Sequence, residues 1–159
     1  MTLPTATELI EAKLGFPRIE SYHDPDEMEV SVFGAGEDSY LGANYSSAKD
    51  MVKRLRGFGS NHLADHIAST HKSTERIGYI NGFEVAEDQR GRGLGSEMLG
   101  RALHHLGNEA KVSHTYLHLH VGKNDPEKAA LRVYSKHGFN ELGVLGKLDV
   151  YPVFHKKHN

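Results

Sequence analysis

The sequence predicts an α/β (α+β) fold, a mixed central sheet flanked by helices, and three observations carry that expectation. From Arg76 onward, apolar positions switch repeatedly between a period of two and a period near 3.6, as strands interleaved with helices require. A glycine-rich run, "RGRGLG" at 90–95, stands between a strand-like and a helix-like segment. The chain has 159 residues, 38% hydrophobic and 25% charged, with only 5 prolines. One domain spanning 1–159 can therefore bury roughly two thirds of its unfolded surface.

The elements follow in order. Thr5 and Glu8 make a T-x-x-E capping box ahead of Leu9, Ile10 and Leu14, with Gly15 and Pro17 as a stop, which predicts a first helix. Met28 to Phe33 and Asp38 to Tyr45 read as a strand pair flanking Gly34 and Gly36. Ser46 or Ser47 caps a helix that runs through Arg56 to Gly57, and Asn61 to Thr70 carries Leu63, Ala64, Ile67 and Ala68 at helical spacing. Arg76 to Ala86 is a strand whose internal glycines suggest a bulge or a close backbone approach. Leu94, Met98, Leu99, Ala102, Leu103 and Leu106 define the next helix, ended by Gly107. Ser113 to Val121 alternates Leu117, Leu119 and Val121 against Tyr116, His118 and His120, a strand by period two. Asp125 as N-cap, Pro126 at the first helical position and Gly138 past the end frame a helix holding Tyr134. "FNELGVL" and "LDVYPVF" close the chain as a hairpin across Gly146 and Lys147, weakened at Pro152, which has no N–H to give a ladder.

Composition excludes several classes of function. A net charge of −2 supplies no broad field for nucleic acid or anionic membrane. Cysteine is absent, which removes disulfides, thiolate metal sites and a Cys nucleophile. No apolar run approaches the roughly 20 residues of a membrane span, and no leader-like segment opens the sequence, so the expected location is cytoplasmic. The acidic stretch Asp24, Asp26, Glu27, Glu29 reads as a solvated loop.

Strand, glycine-rich turn, helix is the arrangement in which backbone N–H groups and a helix dipole meet an anion. The dinucleotide fingerprint fails because Ser96 stands where Gly or Ala is needed, and no G-x-x-x-x-G-K-[ST] occurs. What fits is R-x-x-G-x-G, with Arg90, Gly93 and Gly95 following Val85. Further on, "YSKHGF" supplies Tyr134, Gly138 and Phe139. Together the two motifs resemble the GNAT N-acetyltransferase superfamily, over roughly Ile77 to His155.

That resemblance implies a GNAT-like strand-loop-helix site for the pyrophosphate of acetyl-CoA as acyl donor, with direct transfer of the acetyl group to a primary amine of a small molecule or peptide. It assigns the pyrophosphate to Arg90, Gly91, Arg92, Gly93, Leu94 and Gly95, and the thioester carbonyl to the backbone N–H of Val85. Tyr134 falls at the family's general-acid position. The family often carries Asn seven residues before that Tyr, where this chain has Glu127. A two- or three-residue insertion would bring Asn124 to that role. For the general base, Glu84 is the carboxylate beside Val85, although simple alternation turns it away from the face of Tyr79, Asn81 and Phe83 unless a bulge intervenes. His118 and His120 are the other candidates, since imidazole ordinarily titrates near neutral pH. The family's habit of dimerising implies a homodimer as one state. A longer acyl donor would be accommodated near Phe83 and Tyr116, and a non-catalytic acyl-CoA-binding or protein-interaction module is the alternative to an enzyme. Among twelve histidines, His118 with His120 and His62 with His66 each offer two metal ligands without a third by local spacing, so no metal site is expected.

Overall fold

The computed structural model describes residues 19–34, 38–86, 89–91, 93–119, 126–143 and 152–159. The first predicted helix, the Asp125 cap and the Gly146–Lys147 turn lie outside them. Seven strands form one sheet: β1 (Glu20–Asp24), β2 (Glu29–Phe33), β3 (Tyr40–Ser47), β4 (Arg76–Glu84), β5 (His114–His118), β6 (Asn140–Gly143) and β7 (Val153–Lys157). Their order is β1-β2-β3-β4-β5-β7-β6. Among the described residues, only β4 and β5 pair in parallel. The helices among the described residues are α1 (Ala48–Gly57), α2 (Asn61–Thr70), α3 (Leu94–His104) and α4 (Pro126–Lys136), and α3 runs into a π-helical turn at His105–Glu109.

Each helix covers one face. Residues from β2, β3 and β4, such as Val30, Leu41 and Ile80, join Met98, Leu99 and Leu106 of α3 and its π-helical turn, and Tyr134 of α4, in the larger core. On the opposite face Met51 and Leu55 of α1 and Leu63 and Ile67 of α2 pack on Ile77, Tyr116 and Val153. The start of α1 illustrates local control. The Ser47 hydroxyl accepts the Asp50 N–H at 3.2 Å, and the Ala48 and Lys49 N–H groups donate to the carbonyls of Glu75 and Ser73. The free donors of a helix start are thus satisfied before burial.

The acidic stretch is the exposed loop expected, a turn at 25–28 between two strands: Glu20–Asp24 forms an edge strand pairing with β2, and Asp24 Oδ1 accepts the N–H groups of Asp26 and Glu27 at 3.0 and 3.2 Å. That local side-chain turn is what its Asp content serves. The described last strand is Val153–Lys157, preceded by Pro152, which has no N–H to donate and whose carbonyl accepts the Leu119 N–H; the expected part at 148–151 lies outside the described residues. Phe83 and Tyr116 fall on opposite faces of the sheet, with Tyr116 fully buried, so they do not line one acyl pocket.

Leu99 lies fully buried on α3 at the centre of the larger core. Leu99→Ala should cost about 2–5 kcal/mol of unfolding free energy, read from urea denaturation; a loss under about 1 kcal/mol would contradict this packing.

Candidate active site

The site begins with an extra residue. In the β3–β4 ladder Gly42 pairs with Gly82 and Ala43 with Ile80, so Asn81 is left over as a bulge in β4. A bulge reverses side-chain parity. Before it, Tyr79 opposes Asn44; after it, Glu84 opposes Tyr40, and Tyr40 and Asn44 share one face of β3. Glu84 therefore stands on the face of Tyr79, while Phe83 and Val85 turn to the α3/α4 core. Unbroken alternation would have placed Glu84 on the other side.

The bulge also marks where two strands part. Parallel pairing of β4 with β5 runs from Ile77–His114 to Ile80–Leu117, and β4 continues to Glu84 without it. Among the described residues, the pairing of β4 with β5 ends at Ile80, one residue before the bulge.

On the α3/α4 side of β4 lies the glycine loop. Gly91 and Gly93 have φ of +79° and +83°, and an added Cβ at either would meet no atom within 4 Å. Positive φ explains glycine there, and the open space leaves the backbone approachable. Gly93 is the N-cap of α3 and provides no side-chain cap to the first N–H groups of this 11-residue helix. Gly95 serves packing instead. A Cβ there would sit 3.3 Å from Val85 Cγ2, so its absence lets α3 close onto the end of β4.

Arg90 Nε donates to the Val85 carbonyl at 3.0 Å, tying the loop to the strand end. Ser39, fully buried, accepts the Ala86 N–H at 2.7 Å and donates to Gln89 Oε1 at 2.8 Å. Sequence reasoning missed this anchor, because a lone serine entering a strand carries no local signal. Tyr134 lies on the same side, 7% exposed, its ring 6.3 Å from Phe83, 5.8 Å from Phe139 and 5.6 Å from Phe154. Burial pushes its phenol up to about 12, so it is protonated at neutral pH.

On the other side, the Tyr79 hydroxyl is 2.6 Å from His118 Nδ1, and burial raises the Tyr79 phenol to about 12. Glu84 is exposed beyond them. Tyr79 was legible only as a neighbour on the strand; its partnership with His118 crosses two strands. Arg92, His120 and Asn124 lie outside the described residues.

Several histidines instead build the fold. His114 Nδ1 and His155 Nε2 are 2.7 Å apart with stacked rings, and His158 Nε2 meets the Thr115 hydroxyl at 2.7 Å. Burial, reinforced by neighbouring imidazoles, lowers His155 to about 4; burial and Lys156 do the same to His158.

A family model described as "Acetyltransferase (GNAT) family" matches residues 8–139. No curated protein matches the sequence. Among solved structures, Arabidopsis thaliana NAA60 in complex with a bisubstrate analogue is 17% identical, covering 82% of this chain and 76% of its own, with a TM-score of 0.55. The Drosophila melanogaster polyamine N-acetyltransferase is 11% identical over 98% of this chain and 82% of its own, at 0.53. A spermidine N-acetyltransferase chimera from Vibrio cholerae and hSSAT is 16% identical over 94% and 72%, at 0.50. These likenesses establish a shared fold. Among the described residues, no helix is long and apolar enough to cross a membrane.

The two depressed imidazoles set a pH dependence. In the unfolded chain they take up protons near 6.5, whereas in the fold His155 and His158 resist to about 4. Their contribution to stability is therefore complete above about pH 6.5 and lost as pH falls towards 4. Thermal unfolding should show a clearly lower Tm at pH 5 than at pH 7; a flat Tm across that window would reject neutral burial of these rings.

Proposed function

The chain belongs to the GNAT acetyltransferase family, and from that premise we propose that it transfers the acetyl group of acetyl-CoA directly to a primary amine of a small molecule or peptide. One observation carries the reading most: two positive-φ glycines, exposed at a helix start without a side-chain cap, at the end of the bulged strand β4. Such a loop suits a pyrophosphate, because amides can approach oxygens with no Cβ between them. Bound there, acetyl-CoA supplies the thioester carbon that the amine attacks and the thiolate that leaves.

The chain's own groups divide the remaining work. Gly91, Gly93 and the first turn of α3 hold the anion through backbone N–H groups, with Arg90, Arg92 and Asn124 adding polar contacts. The Val85 N–H polarises the carbonyl being attacked. Tyr134 donates a hydrogen bond toward the departing sulfur. A phenol at about 12 is a weak acid against a thiol that ordinarily titrates near 8.5, so stabilisation of developing charge is the larger part of its effect. His118, held at Nδ1 by the Tyr79 hydroxyl at 2.6 Å, is the first candidate base for the proton of the amine. Glu84 and Tyr40, paired across β3 and β4, present a carboxylate and a ring to a cationic acceptor on its way in. Glu84 is the second candidate base, and His120 the third.

Two expected outcomes follow. Acetyl-CoA should raise the Tm of the protein by mass action. Gly93→Asn, which tolerates positive φ, should cost under about 1 kcal/mol of stability yet abolish most of that shift. Full retention of the shift removes the loop from the binding site.

In a thiol-release assay against a panel of amines, Tyr134→Phe should lower kcat by about 10²- to 10³-fold with little change in affinity for acetyl-CoA. His118→Gln should remove the acidic limb of the pH–rate profile. If that limb persists in His118→Gln and disappears in Glu84→Gln, the base is Glu84. Binding without thiol release for any amine would favour the non-catalytic alternative.

A further inference from the structure

We propose that His23, His105 and Glu109 form a binding site for one divalent transition-metal ion, separate from the acetyl-transfer site. One ligand atom from each lies within 4.8 Å of the others. His23 comes from β1, and the other two from the π-helical turn that ends α3. His23 Nδ1 is 3.7 Å from Glu109 Oε2, and His105 Nδ1 contacts the same oxygen. Tetrahedral zinc with bonds of about 2.0–2.2 Å holds its ligand atoms roughly 3.3–3.5 Å apart, so a small rotation of the carboxylate completes the arrangement.

The surroundings match what metal-binding imidazoles need on their far side. His23 Nε2 meets the Tyr45 hydroxyl at 2.7 Å, and His105 Nε2 meets the Ser21 hydroxyl at 3.1 Å. A ligating imidazole donates its second N–H to a fixed partner. A hydroxyl both donates and accepts, so each can reverse its hydrogen bond when an ion takes Nδ1 and the ring proton moves to Nε2. Two nitrogens and one carboxylate oxygen suit Zn²⁺ or its neighbours over Mg²⁺ or Ca²⁺. The side chains of His23 and His105 are 13% and 16% exposed and that of Glu109 is 41% exposed, so an ion can enter and water can fill a fourth position.

A similar group, His71, Glu75 and His114, also gathers within 4.8 Å. Its atoms have other work: Glu75 accepts from Lys72 N–H and the Ser113 hydroxyl, and His114 pairs with His155. The His71 side chain is only 3% exposed. The first group is also distant from the glycine loop, since α3 carries the chain over 11 residues, about 16 Å at 1.5 Å per residue. An ion there would fasten the edge strand β1 to the end of α3.

Zn²⁺ titrated calorimetrically into the metal-stripped chain at pH 7.5 tests this. One site per chain is expected, tighter than roughly 10 µM, with Zn²⁺ raising the Tm. His23→Gln and Glu109→Gln should each weaken binding by at least about tenfold and remove the Tm shift, with the metal-free Tm reporting that they fold. His71→Gln should leave both readouts unchanged. Absence of binding tighter than about 100 µM, or binding lost in His71→Gln and kept in Glu109→Gln, would overturn the proposal.

Discussion

One extra residue, Asn81, governs the geometry on which the candidate site depends. By inserting itself between the Ile80 and Gly82 pairings it bends β4, reverses its parity and coincides with the end of its pairing with β5. Phe83 and Val85 thereby join the core beneath the glycine loop, and Glu84 joins the face of Tyr79 and His118. A strand without the bulge would send Glu84 to the α3/α4 face. Space for the bulge comes from glycine: a Cβ at Gly42 would lie 2.9 Å from Asn81 Oδ1, and one at Gly82 would lie 2.9 Å from the Tyr40 ring.

The glycines of the loop act through two distinct constraints. Gly91 and Gly93 adopt positive φ with open space around them, so their value is backbone shape and access. Gly95 has no such φ and is crowded by Val85 and Phe83, so its value is helix-to-strand proximity. The loop is then held from beneath by Ser39 and from the side by Arg90. Preorganised amides lose less freedom when an anion arrives, which suits such a loop to the pyrophosphate contact proposed for it.

Histidines take three roles in this fold, sorted by what the second ring nitrogen meets. His155 and His158 are kept neutral at the sheet's end by burial and by the imidazoles and Lys156 beside them. His118 ends β5 with a phenol as one partner. His23 and His105 point toward one carboxylate while hydroxyls hold their far sides. Composition alone, twelve imidazoles in one chain, does not separate these roles.

Local chemistry was enough for much of the fold. Ser47 as a cap, Asn61–Thr70 as a helix, the start of α3 at Leu94 and the strand at 76–84 were all readable, because capping, periodicity and turn glycines act over a few residues. The two motifs identified the family for the same reason, since a loop that meets a phosphate constrains its own residues. β1 was unread because "ESYHD" alternates weakly and is defined by its pairing with β2. The parity of Glu84, the Ser39 anchor, the Tyr79–His118 pair and the meeting of His23 with His105 and Glu109 join residues 39 to 86 positions apart or depend on ladder register. Such relations have no local signature. They exist only once the sheet has chosen its pairings, and a single bulge decides on which face each side chain emerges.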